Sequence, residues 1–325
     1  MNQKPHKARV LIYHKINEDP VDSQLLAVRP THFKHHLEFL KEYYDIICLD
    51  ELVTRMKTNK FSGNEVTITF DDGYLDNYTN MLPIIEDLNV PVTIFIATDS
   101  IGSEQEFWWD QVEQMIVETK KKNIFAKTCK TEFEFSLSNS KQKLSAIDRL
   151  CAEYKKFPHG KILGFLKQLR TETDVVQQQR NSHKTLSKDE LISFTQSRLI
   201  TIGSHTKSHT RLSILSKESQ FSEIIESKDC LENILKKPVK YLSYPYGSRI
   251  DFSTTTEELI LSNGFSAGIA NIQDDLQIGN NITSIPRRLV RDWNLDQFAS
   301  WMQDPDKSNM ETCSLQSRLQ KLDLY

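Results

Sequence analysis

Apolar and polar positions alternate strictly over residues 66–70, where Val66, Ile68 and Phe70 are separated by Thr67 and Thr69. With β-branched residues dominating, the pattern predicts a buried strand. It ends on two adjacent carboxylates, Asp71 and Asp72, followed by Gly73, which lets the chain turn. Over residues 76–88 the spacing becomes helical, with Tyr78, Leu82, Ile85 and Leu88 on one face. The same alternation recurs along the chain. Further strands are expected at 9–13, 45–49, 91–98, 199–204, 240–244, 265–270 and 284–290. Further helices are expected at 30–44, 50–57, 187–197, 217–236, 254–263 and 295–302. Ser187 and Glu190 have the spacing of a capping box, and Gly264 is a C-terminal helix signal. Residues 103–184 break the rhythm: rich in Lys, Glu and Gln, they are expected to form a mainly helical insertion. The tail, 305–325, lacks periodicity and is expected to be loose.

Repeated strand–helix units imply a parallel sheet covered by helices, either an open doubly wound sheet or a closed (β/α) barrel. The polar residues decide between them. His14, the Asp71–Asp72 pair, His205 with His209, and Tyr246 each follow a different expected strand. A barrel brings those positions together at one end, whereas an open sheet spreads them along an edge. The expectation is one α/β barrel domain over 1–304, interrupted by the insertion.

Composition narrows the function without naming it. The chain is 38% hydrophobic and 26% charged with net charge −3, which argues against disorder and against electrostatic nucleic-acid binding. No apolar run reaches the length of a membrane span, and the four apolar residues before His14 are too few for a secretory leader. The five cysteines are scattered without CxxC spacing, as in a reducing compartment, so a cytoplasmic location is expected. Oligomeric state has no signature in the sequence.

Buried carboxylates are costly unless something requires them. A second polar cluster, His205-Thr206-Lys207-Ser208-His209, supplies a reason: histidines four apart converge on one side of a helical turn. Together with a carboxylate from Asp71 or Asp72 they would form a two-His, one-carboxylate metal site with open positions.

With those residues placed, the chain resembles the polysaccharide deacetylases of carbohydrate esterase family four, whose fold is a distorted (β/α)7 barrel. The resemblance covers residues 8–304 apart from the insertion. TFDDG at 69–73 matches the family's first motif and HTKSH at 205–209 its metal motif. The match implies Asp71 as general base and Asp72, His205 and His209 as ligands of one divalent ion, expected to be Zn²⁺. SYPYG at 243–247 resembles the groove-lining third motif, which implies that the Tyr246 backbone N–H holds the oxyanion. The Arg that usually opens that motif is replaced by Ser243 or Tyr244, and no histidine follows His209 to act as general acid. YHKI at 13–16 instead resembles a permuted branch with the acid histidine on the first strand, here His14. In that branch an Arg near the end tethers the base: Arg287 is the first choice and Arg288 the second, because strand neighbours point to opposite faces. Asp292 and Trp293 resemble the fourth motif, where Asp orients the acid His and Trp lines the pocket. Tyr78, Trp108, Trp109, Tyr246 and Trp293 are aromatic surfaces on which a sugar could stack.

The implied activity is metal-dependent hydrolysis of an N-acetyl group on an amino sugar or polysaccharide precursor, with a carbohydrate substrate and no nucleic-acid or membrane-spanning partner. A deformylase or other amide hydrolase on a small or lipid-linked substrate is the rival within hydrolases. A non-haem iron oxygenase would use the same ligand types, but the strand–helix alternation argues against it. A catalytically inactive carbohydrate-binding barrel is the third alternative, and the complete DD plus HxxxH set speaks against it.

Overall fold

The computed structural model describes residues 7–19, 21–303, 318–319 and 321–322. Six parallel strands run side by side in the spatial order Ala267–Ile269, Tyr241–Ser243, Ile200–Ser204, Val92–Ile96, Glu65–Phe70, Lys7–Tyr13. The seventh, Arg288–Leu289, pairs in parallel with Lys7–Tyr13 through Leu11 and Ile12. Closure comes from the residues just before it: the Ile285 N–H donates to the Gly268 carbonyl and its own carbonyl accepts from Ala270. Pro286, with no N–H to give a ladder, sits between these two pairings. The result is a distorted (β/α) barrel. The strand expected at 45–49 shrinks to Asp45–Ile46 beside the start of Glu65–Phe70. It is not a stave.

Every residue of Glu65–Phe70 is buried, since a strand in a barrel wall is covered on both faces. Helix Pro30–Tyr43 buries Phe33, His36, Leu37 and Leu40, one stripe at helical spacing. Gly203 allows close packing in the wall, because a Cβ there would lie 2.4 Å from the Phe95 ring. The helix expected at 76–88 begins as a π-turn, Asn77–Met81, and becomes α-helical only at Leu82–Leu88. That turn aims Asn77 and Asn80 at the loop after the first strand, where they donate to the His14 and Ile16 carbonyls.

The segment at 103–184 leaves the barrel after Val92–Ile96. It contains helices Trp108–Glu118, Ser140–Tyr154 and His159–Thr173, and also an antiparallel hairpin, Asn123–Lys127 with Glu132–Ser136. The hairpin corrects the helical reading of that stretch. Its alternation is short, with Lys127, Glu132 and Glu134 among the outward positions and Ile124, Ala126, Phe133 and Phe135 facing inward. They join Val112, Met115 and Ile116 in a second apolar core. Most of the tail, 305–325, lies outside the described residues, although Leu322 is buried against this second core. No helix among the described residues is long and apolar enough to cross a membrane.

Candidate active site

Strand Glu65–Phe70 delivers Asp71 and Asp72 to the carboxyl end of the barrel, and strand Ile200–Ser204 delivers His205 and His209 beside them. One Asp72 oxygen, Oδ1, lies 3.5 Å from His205 Nε2 and 3.3 Å from His209 Nε2. Ligand atoms of a tetrahedral Zn²⁺ site, each about 2.0–2.1 Å from the metal, stand about 3.4 Å apart. The Asp72 Oδ1 atom is buried and has no hydrogen-bond partner, an arrangement that costs energy unless a cation completes it. His205 donates from Nδ1 to the Ser243 carbonyl at 2.8 Å, which fixes the tautomer and leaves Nε2 as a lone-pair donor. Burial pushes the His205 pKa down to about 4, so the ring is neutral and able to ligate at neutral pH. Asp72, His205 and His209 therefore fit a divalent ion.

Asp71 faces a different partner. Fully buried Arg287 forks onto it, Nη1 to Oδ1 at 2.8 Å and Nη2 to Oδ2 at 2.7 Å. The remaining guanidinium hydrogens go to Thr69 Oγ1, Ser243 Oγ and the Ala270 carbonyl. Ser243 Oγ donates in turn to Asp71 Oδ2 at 3.0 Å. Burial alone would raise the Asp71 pKa; Arg287, and after it His205, reverse the sign and hold the carboxyl below its usual range. Arg288, one residue on, points outward to Asp275. Ser243 has no assigned role in the sequence reading, yet it joins both halves of the site. Its only sequence signal is a small polar side chain at the carboxyl end of a barrel strand.

The turns that carry these groups are strained. Asp72, Thr206, His209 and Tyr246 all have left-handed φ, at 76°, 64°, 55° and 62°. For non-glycine residues such geometry costs on the order of 1–3 kcal/mol each and collects at functional sites. Gly247 follows at φ 68°, and a Cβ on it would meet the Asn271 nitrogen at 2.6 Å. Among the described residues the Tyr246 N–H has no acceptor, and the Tyr246 ring stands edge-on to His209 at 4.9 Å.

His14 lines the same pocket as the triad. Burial lowers its pKa, with Asp72 and Asp71 pulling the other way. Its Nδ1 is buried without a partner. Asp292 does not reach it, which corrects the sequence expectation. That carboxylate instead accepts from Arg29 Nε at 2.8 Å and from the Arg29 N–H at 3.0 Å, at the start of helix Pro30–Tyr43, where a negative charge is favoured. Trp293 is also misplaced by the sequence reading: it packs on Trp301 at 4.8 Å inside the barrel's core, away from the pocket. Tyr78 likewise packs against Phe194 and not in the pocket.

The pocket, of about 340 Å³, has the barrel on one side and the insertion on the other, through Trp108, Trp109, Asp148, Cys151 and Lys155. Trp109 lies against His209 at 4.7 Å and is stacked on Phe107. Its indole N–H donates to Tyr74 Oη at 3.0 Å, and Tyr74 donates to Asp110 at 2.8 Å. Tyr74 and Asp110 thus support Trp109 where it packs on His209, and nothing in periodicity or motif spacing singles them out.

The polysaccharide deacetylase family model matches residues 58–176 and 161–268, more than half of the chain. YxkH of Bacillus subtilis, named for polysaccharide deacetylation, is 30% identical over 115 residues, 35% of this chain and 40% of that protein. The poly-β-1,6-N-acetyl-D-glucosamine N-deacetylase of Staphylococcus epidermidis is 26% identical over 116 residues, 32% of this chain and again 40% of the relative. These matches span less than half the length of either relative. In fold, the chain is similar to the Streptococcus pyogenes deacetylase PplD, solved in complex with acetate, with TM-score 0.60 and 16% identity over 91% of this chain and 98% of that one.

Proposed function

Because the chain belongs to the polysaccharide deacetylase family, we propose that it hydrolyses N-acetyl groups on the amino-sugar residues of a polysaccharide, using one zinc ion held by Asp72, His205 and His209. The observation that carries this reading is the pairing of an orphaned ligand set, centred on Asp72 Oδ1, with a second carboxylate clamped by Arg287. A divalent ion bound there supplies Lewis-acid polarisation of the amide carbonyl and lowers the pKa of a water. Asp71 takes the proton of the attacking water, kept ionised and aimed by Arg287 and Ser243. The Tyr246 N–H holds the carbonyl oxygen as it gains charge. The C–N bond breaks only as the nitrogen is protonated, because an amine anion is too poor a leaving group, and His14 delivers that proton. Acetate and the free amine leave. Trp108, at the pocket wall, offers a surface on which the sugar ring stacks, while Trp109 is held between Phe107 and His209.

N-acetylglucosamine polymers are the first substrates to test, since the Staphylococcus relative is named for one. Acetate release by zinc-loaded protein should stop with chelator and return with zinc. Asp72→Asn should lose the metal; Asp71→Asn should keep it and lose on the order of 10²-fold or more in kcat. Release that persists in metal-free protein sinks the proposal, and equal metal loss in both variants overturns the separate roles given to the two carboxylates.

A further inference from the structure

The catalytic pocket carries more positive charge than hydrolysis of a neutral amide requires. Arg291 and Lys155 both line it. Arg291 spends Nη1 on two backbone carbonyls, those of Gln24 and Leu25 at 3.2 and 2.5 Å. Its Nε and Nη2, the two nitrogens that lie side by side on one edge of the guanidinium, donate to nothing among the described residues. No carboxylate among the described residues pairs with Arg291. Burial holds its pKa down at about 10, against the pull of the Asp22 carboxylate and with a smaller push from Arg318. Lys155, from the insertion, sits over the Tyr246 ring at 5.9 Å, also with no carboxylate partner among the described residues. Asp148 is the pocket's other charge outside the catalytic set, and it is engaged by Arg318.

A guanidinium edge with two parallel N–H groups matches the two oxygens of a carboxylate or phosphate. The two carbonyls on Nη1 hold the plane still, so little freedom is lost on binding. The site is built for an anion.

We propose that this pocket selects an anionic substrate: an amino-sugar chain bearing a carboxylate or phosphate group, gripped by Nε and Nη2 of Arg291 and balanced by Lys155. The proposal rests on the deacetylase reading of the same pocket. It makes Arg291 and Lys155 specificity residues, one from the barrel's closing segment and one from the insertion.

The test uses three matched N-acetylglucosamine oligosaccharides, one neutral, one bearing a carboxylate and one bearing a phosphate monoester, with the zinc-loaded full chain. KM should be about tenfold or more lower for at least one anionic form, the size expected of a charge-assisted pair, and the gain should shrink with added salt. Which arm shows the gain identifies the anion. Arg291→Gln should abolish the gain. Lys155→Glu, at a half-exposed helix end, should reverse it without disturbing the loop that Arg291 holds. Equal KM for neutral and anionic chains, or a preference that survives both variants, overturns the proposal. Calorimetry separates it from the parent reading: tight binding of the anionic chain without acetate release keeps the anion site and removes the deacetylase.

Discussion

Asp71 and Asp72 are adjacent and chemically identical, and their surroundings give them different work. Asp72 presents an unpartnered oxygen to two imidazoles, while Asp71 is enclosed by Arg287 and Ser243. Removing one partner of a buried ion pair leaves a bare charge and costs about 3–5 kcal/mol. Arg287→Ala should therefore lower unfolding free energy by about that much in urea titrations, and Arg288→Ala by less, because its partner Asp275 keeps Lys7 and Arg9 within 4.0 Å. Similar losses in the two variants would contradict the inward assignment of Arg287. His14 belongs to the same scale. His14→Ala should keep zinc and stability and lose amide hydrolysis, while hydrolysis of an activated ester, whose leaving group needs no proton, should suffer much less. Equal loss on both substrates removes it as proton donor.

At the scale of elements, the insertion is part of the active site. Helix Trp108–Glu118 lays Trp109 on His209 and is tied back to the barrel through Tyr74 and Asp110. Groups that orient a metal ligand typically contribute 10–100-fold to metal affinity. Trp109→Ala should weaken zinc binding by roughly that factor in a chelator competition, and Tyr74→Phe by less, since the ring remains. Unchanged affinity in Trp109→Ala would reduce the contact to packing. Helical insertion was legible from the lost strand rhythm and the Lys-, Glu- and Gln-rich composition. The hairpin inside it was not, because two inward residues per strand give too short an alternation to stand out from charged neighbours.

For the whole molecule, the barrel and insertion cores are formed by apolar side chains that do not include the ligand set. The metal should therefore add to a fold that already stands. At zinc about 100-fold above its Kd, linkage predicts about 2.7 kcal/mol of added stability, seen as a rise in Tm that chelator removes while the far-ultraviolet circular dichroism stays unchanged. Collapse of that signal on chelation would mean the metal is structural.

The sequence by itself determined the barrel, the two metal-motif strands and the Asp-Asp pair. Period-two and helical patterns are local, and residues that end separate strands must share a barrel's carboxyl end. The family resemblance narrowed the clamp to Arg287 or Arg288, two neighbours that strand alternation turns to opposite faces. Only the tertiary structure decided what those residues meet. Asp292 was drawn to Arg29 and not to His14, Trp293 went to the core, and Ser243 and Tyr74 acquired roles. Each of these outcomes turns on partners far apart in sequence. The competition among hydrogen bonds, burial and charge that settles them exists only once the chain has closed on itself.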